Sequence, residues 1–126
     1  MSKPNLSIFL CLVILSNPFG IANAAGDAQR GATLYEARCA ACHSIDYNGV
    51  GPAHKGVFNR KAGTQTGYTY SPAVQASNVI WTEASLDKWL TNPEKFISGQ
   101  KMGFMVPLAN DRADLIAYLK KETSAK

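Results

Sequence analysis

Cysteine, histidine and methionine are scarce in this chain, and the scarcity limits what it can do. Its 126 residues include three cysteines, two histidines and three methionines. Cys11 falls in an amino-terminal apolar run, so only Cys39 and Cys42 are left for chemistry in the rest of the chain. That excludes a disulfide scaffold. A bridge between those two would close so short a loop that it would restrict the unfolded chain little. Dense positive charge is also missing. Arg30, Arg38, Lys55, Arg60, Lys61, Lys88, Lys95 and Lys101 are scattered among acids, and the formal charge is +4. A nucleic-acid reader would carry a concentrated basic face, whereas a mildly positive surface suits transient docking onto acidic patches of other proteins. The chain has no internal repeat, no low-complexity tract and no run of alternating apolar and polar residues that reads as a strand.

A membrane span is missing as well. The longest uncharged apolar stretch, Leu6 to Leu15 (LSIFLCLVIL), has ten residues, against roughly 20 for a transmembrane helix. It follows Met1-Ser2-Lys3 and precedes Pro18, Gly20 and the small-x-small triplet Ala22-Asn23-Ala24. This order predicts a secretory signal peptide over residues 1–24, cleaved at about Ala24 rather than kept as an anchor, and a single domain over 25–126. Residues 1–24 carry one lysine and no acid, so their removal lowers the formal charge to +3. A domain of this size buries only about 60 to 65 % of its unfolded surface. A bulky apolar group held inside would therefore add materially to its core.

The rest of the sequence predicts an all-α fold of three main helices, one or two short ones and long loops. The first helix spans Asp27 to about Ala40, with Ala28, Ala32, Leu34, Tyr35 and Ala37 on a 3.6-residue period. Gly31 interrupts it and marks a close approach by another element. Residues 41–69 form a glycine-punctuated loop, long enough that it must wrap around something or serve a function. Ser71-Pro72 opens a short helix. Thr82 to Thr91 is amphipathic, with Thr82 as cap, Leu86, Trp89 and Leu90 on one face, and Asn92-Pro93 as terminator. Pro93 to Phe96 can form a further turn. Residues 98–109 are apolar for a loop. Asn110 is expected to cap the last helix, whose Asp111 and Asp114 near the start and Lys120 and Lys121 near the end complement its dipole. Leu115, Tyr118 and Leu119 form its buried stripe.

The stretch CAACHSIDYNGVGP, residues 39–52, carries the chemistry. Cysteines at i and i+3 share one face of a helical turn, so both thiols can add to the vinyl groups of one haem. A histidine directly after them then lies beneath the porphyrin plane, where its imidazole reaches the iron. C-x-x-C-H is the attachment pattern of c-type haem. A thioredoxin-like pair would sit in a βαβ setting, which is lacking here. Structural zinc needs four ligands, and Cys39, Cys42, His43 and His54 would be the only ones of the usual types. Pro52 could offer its carbonyl to the second nitrogen of His43, fixing the tautomer, although Gly51-Pro52 alone also reads as an ordinary turn. The methionines left for a sixth position are Met102 and Met105. A thioether there would raise the reduction potential, and spacing does not choose between the two.

Taken together, these motifs resemble the class I cytochromes c, of the mitochondrial and bacterial c2-like types, over about Asp27 to Thr123. The likeness rests on Cys39-x-x-Cys42-His43, Gly51-Pro52, NPEKFISGQKMGF (residues 92–104) and DLIAYLKKE (residues 114–122). It implies one covalent haem c, with His43 and Met102 as axial ligands. It also implies that Arg60, Tyr68, Tyr70 and Trp81 meet a haem propionate, and that the terminal helix crosses the first near Gly31 and Tyr35. Trp89 stands where the family often has a tyrosine near the axial methionine. His54 replaces a customary leucine and reads as a solvated loop residue, with a rival iron ligand as the other possibility. Basic residues expected near the haem edge are Lys101, Lys95 and Arg38.

The resemblance implies an exported, soluble, monomeric one-electron carrier in the periplasm, with no catalytic chemistry of its own. Its partners would be redox proteins with acidic docking patches, such as a quinol-oxidising complex, a terminal oxidase or a periplasmic oxidoreductase, with no nucleic acid and no stable membrane insertion. Two other readings remain at this point. One is a haem protein with a labile sixth ligand, peroxidase-like or gas-sensing. The other is a dedicated electron-accepting subunit of one periplasmic dehydrogenase.

Overall fold

The computed structural model describes residues 25–124; the signal peptide expected over residues 1–24 lies outside them. Five helices run in the order α1 (Ala28–Arg38), α2 (Pro72–Ala76), α3 (Glu83–Thr91), α4 (Pro93–Phe96) and α5 (Ala109–Thr123). Among the described residues the only β contact is an isolated antiparallel bridge between Lys61 and Ile80. The chain is all-α, as the periodicity predicts.

Local chemistry explains most of the boundaries. Asp27 caps α1 by accepting from the N–H groups of Gln29 and Arg30 at 2.8 and 3.1 Å. Ser71 accepts from the Val74 N–H at the start of α2, where proline occupies the first turn and loses no hydrogen bond. Thr82 and Ser85 form a reciprocal capping box on α3. Asn92 ends α3 and caps α4 by accepting from Lys95 at 2.9 Å. The last helix departs from expectation. It starts at Ala109 with Leu108 in the cap position and no side-chain cap, so Asn110 lies inside its first turn.

Asp111 and Asp114 also do more than complement a dipole. Both are buried against α1. Asp111 pairs with Arg30 at 3.2 Å and with Arg38 at 2.9 Å, and Asp114 pairs with Arg30 and accepts the Asp27 N–H at 2.6 Å. The arginines are half-exposed, so each ion pair adds little by itself. Their larger effect is to fix how α1 meets α5. Gly31 sits at that crossing, where a Cβ would lie 2.0 Å from the carbonyl oxygen of Asp114. Next to it, the Tyr35 and Tyr118 rings are 5.1 Å apart.

The apolar interior falls into two clusters. One gathers Val57, Val74, Trp81, Leu86, Ile97 and Ile116. The other gathers Tyr35, Val106, Leu115 and Leu119 along the α1–α5 contact. Between them lies a cavity of about 440 Å³, lined by Val57, Val74, Trp81 and Leu86 on one side and by Tyr35, Leu115 and Leu119 on the other. That volume is typical of a cofactor pocket.

Candidate functional site

The turn after α1 brings the cysteine motif to this cavity. Cys42 and His43 both donate their N–H groups to the Cys39 carbonyl, at 3.0 and 2.9 Å, so the helical sense continues past Arg38. Cys39, Cys42 and His43 all line the cavity. Burial pushes the free Cys39 thiol up to about 11.

His43 is the most constrained of the three. Its Nδ1–H donates to the Pro52 carbonyl at 2.9 Å. A carbonyl can only accept, so the proton resides on Nδ1 and the Nε2 lone pair is free to coordinate. Burial lowers the pKa of the ring, and the bond to Pro52 opposes that shift. Gly51 is required beside it. A Cβ there would lie 2.2 Å from Cε1, 2.6 Å from Nδ1 and 2.7 Å from Nε2 of His43, which puts it over the face of the ring. The loop is itself pinned, with the Gly51 N–H donating to the Cys42 carbonyl at 2.7 Å.

The remaining residues singled out by sequence reach the same cavity. Arg60, Tyr68, Tyr70, Trp81 and Trp89 all line it. Arg60 donates to the carbonyls of Lys55 and Ala53 at 2.7 and 3.2 Å and to the Gln65 side chain. The Tyr68 hydroxyl donates to the Val50 carbonyl at 2.8 Å, and the Tyr70 hydroxyl accepts from the Gln65 N–H at 3.3 Å. Trp81 and Trp89 meet edge to face with ring centres 5.4 Å apart. Of the two methionines, Met102 lines the cavity, whereas Met105 is 51 % exposed and is not part of its wall.

His54 corrects the sequence reading. It is not a solvated loop residue: it lines the cavity, shares a 2.9 Å hydrogen bond with the buried Tyr35 hydroxyl, and stacks on His43 with ring centres 4.3 Å apart and planes 21° apart. Burial first, then the proximity of His43 and Arg60, lowers its pKa to about 3, so the ring is neutral. Tyr35 joins it as a site residue that sequence reasoning placed only in the helix packing. The sequence signal for both was polarity at apolar positions: a hydroxyl on the buried face of α1 and an imidazole where the family has leucine. Among the basic residues expected at the edge, Lys101 and Arg38 line the cavity, while Lys95 is exposed elsewhere.

These residues fit a haem. The cavity is largely apolar, two thiols stand one helical turn apart on its wall, and an imidazole is fixed in the tautomer that coordinates iron. Comparison with known proteins agrees. The family described as "Cytochrome c" matches residues 28–123. Cytochrome c of Gibberella zeae is 43 % identical over 104 residues, covering 79 % of this chain and 98 % of that protein. Cytochrome c of Euglena viridis is 45 % identical over 98 residues, covering 75 % and 96 %. Among solved structures, cytochrome cH from Methylobacterium extorquens superposes with a TM-score of 0.73 at 42 % identity, over 76 % of this chain and 99 % of that one. The two-cluster core, the cysteine-histidine wall and these relatives lead to one conclusion: the chain belongs to the cytochrome c family as a class I member with a single covalently bound haem c.

Proposed function

We propose that the chain, a haem electron carrier by family, is an exported periplasmic carrier, matured after loss of residues 1–24 and acting as a monomer, in which His43 Nε2 and the Met102 thioether would hold the haem iron. Cys39 and Cys42 supply the two thioether attachments. The observation that carries this reading is the 2.9 Å bond from His43 Nδ1 to Pro52, which leaves Nε2 as the coordinating nitrogen. The position of Met102 on the cavity wall, with Met105 turned out, supports the sulfur assignment. Haem iron supplies a one-electron couple, and a neutral sulfur ligand favours its ferrous state. The chain's own contribution is to exclude water, keep the imidazole neutral and oriented, and change little between oxidation states. Arg60, Tyr68, Tyr70 and Trp81 line the cavity and would face the propionates, for which the Tyr68 hydroxyl would have to leave Val50.

Partner docking follows from the rim of the cavity. Val50 is 75 % exposed and Phe104 is 42 % exposed, and both line it. Arg38 is paired with Asp111, and Arg60 donates to backbone carbonyls. Lys101 is therefore the cation of the lining that neither an ion pair nor a backbone carbonyl holds among the described residues. The face combines apolar contact with weak positive steering toward acidic redox partners. Raising ionic strength should slow electron transfer modestly.

An oxidised and reduced optical spectrum tests the ligand set. Met102→Ala is expected to abolish the methionine–iron band and to open the ferrous protein to carbon monoxide, while Met105→Ala leaves both unchanged. The opposite pattern would move the ligand to Met105. Rapid carbon monoxide binding by the unaltered protein would favour an enzyme or gas sensor over a carrier.

A further inference from the structure

His54 has no part in the ligation proposed above, yet many contacts hold it in place. Its N–H donates to the Ser44 carbonyl at 2.9 Å, and that of Lys55 donates to Ile45 at 2.8 Å, which ties the segment to the chain just after His43. Arg60 grips the carbonyls on either side of it, those of Ala53 and Lys55, at 3.2 and 2.7 Å. Its Nδ1 meets the Tyr35 hydroxyl at 2.9 Å. Tyr35 is only 5 % exposed, so that hydroxyl is cut off from water and would be costly to leave unpaired. The backbone on both sides of His54 is thus held, and one edge of its ring is tied to Tyr35. The His54 ring lies nearly parallel to His43, with ring centres 4.3 Å apart.

The bond to Pro52 fixes one edge of the His43 ring, but a single hydrogen bond does not by itself stop the ring from twisting about its axis toward the metal. A plane stacked on the imidazole does. We propose that Tyr35 and His54 form a positioning pair that sets the plane of the His43 imidazole at the iron. The proposal rests on His43 as the nitrogen ligand. Outer contacts that orient a ligating histidine alter the properties of the metal it holds. Here the relevant property is the imidazole azimuth, which governs how iron spin density is shared among the pyrrole rings.

The experiment uses the haem-loaded ferric protein and reads the hyperfine-shifted haem-methyl proton resonances, with the equilibrium reduction potential as a second readout. Tyr35→Phe keeps the ring and removes only the hydroxyl; His54→Leu removes the stacked plane; His54→Phe keeps a plane without the nitrogen. Tyr35→Phe and His54→Leu are each expected to change the order or spread of the haem-methyl shifts and to move the potential in the same direction. His54→Phe, which keeps the plane but loses the bond to Tyr35, is expected to fall between the original pattern and that of His54→Leu, and adding Tyr35→Phe to it should change nothing further. Unchanged haem-methyl shifts in both Tyr35→Phe and His54→Leu would overturn the proposal. So would a His54→Phe pattern as far displaced as that of His54→Leu. If His54→Leu does not accumulate, the isosteric Tyr35→Phe decides alone. If His43 is not the ligand, the unaltered protein itself lacks a low-spin histidine-ligated ferric spectrum, an outcome distinct from an intact spectrum that ignores the variants.

Discussion

Residues 41–69 and residues 98–108 both close on the cavity, but they hold their ligand candidates by different means. The first loop grips His43 by the ring itself: Pro52 takes its Nδ1 proton, Gly51 lies against its face and His54 stacks on it. The second loop is fastened at its ends. At one end the Glu94 carboxylate accepts from the Ser98 hydroxyl, the Gly99 N–H and the Gln100 amide at 2.8, 3.0 and 3.2 Å. At the other, the buried Val106 donates to the Leu90 carbonyl at 2.8 Å, and Arg112 donates to the carbonyls of Val106 and Pro107 at 3.0 and 2.9 Å. Between those fastenings Gly103, Phe104 and Met105 are exposed. An imidazole must be presented in the right tautomer and plane, which calls for contacts on the ring. A thioether has no tautomer or ring plane to fix and offers two lone pairs, so it asks less of the contacts around it. The sulfur side is therefore the side that should open first.

Gly51→Ala should have the largest effect on this contrast. Its methyl would meet three ring atoms of His43 at 2.7 Å or less, and overpacking of this kind costs about 3 kcal/mol. Denaturant unfolding of the haem-loaded protein should show that loss, together with a disturbed histidine–iron spectrum. A variant with native stability and spectrum would mean that the ring is not gripped. Arg112→Leu comes next and acts on the other side. It leaves the carbonyls of Val106 and Pro107 without their donor and strips Asp87 of the contact at 2.7 Å. A loss of about 2 kcal/mol follows from unpaired buried polar groups. Carbon monoxide access to the ferrous iron should rise as well, because the loop loses its downstream anchor. Lost stability with unchanged carbon monoxide binding would show that Arg112 holds α5 to α3 without restraining the methionine loop.

The legibility of the two sides in the sequence differs for the same physical reason. Helices were readable because capping and periodicity are local: Asp27, Ser71, Thr82 and Asn92 all cap where their side chains suggest. The α5 start was misjudged because Asn110 resembles a cap, while the true boundary is set by the anchoring of Val106 and the buried pairing of Asp111 with α1. The cysteine-histidine motif pointed to its chemistry through local spacing, read together with the all-α pattern and the scarcity of other cysteines around it. His54 did not, since its role depends on Tyr35, nineteen residues away. A lone histidine carries no sign of its partner. Arg112 was likewise silent: two of its acceptors are backbone carbonyls that any sequence would provide, and the third, Asp87, lies far from it in sequence.

Glu94→Gln should produce a smaller, pH-dependent effect. The Gly99 N–H above all, then Ser98 and Gln100, hold the Glu94 carboxyl below its ordinary value of 4.5, against a weaker opposing push from desolvation. A lowered carboxylate pKa stabilises the fold above the ordinary value, and that contribution disappears as pH falls through the lowered one. The methionine–iron band of the unaltered protein should therefore resist denaturant better than that of Glu94→Gln at neutral pH, and the gap should close under acid. A gap that is the same at every pH would show that the charge of Glu94 is irrelevant to the loop.

Gly103→Ala should do least. A Cβ at Gly103 would meet nothing within 4 Å, and its φ is not among the positive values found at Gly56, Gly63, Gly67 and Gly99. Alanine fits there without strain and removes freedom from the unfolded chain, so stability should stay level or rise by about 0.5 kcal/mol. The same glycine-to-alanine change thus separates the two loops by several kcal/mol, although each glycine lies close in sequence to a ligand candidate. If Gly103→Ala instead cost as much as Gly51→Ala, residues 98–108 would have to be gripped along their whole length, and the sulfur would be no freer to leave than the nitrogen.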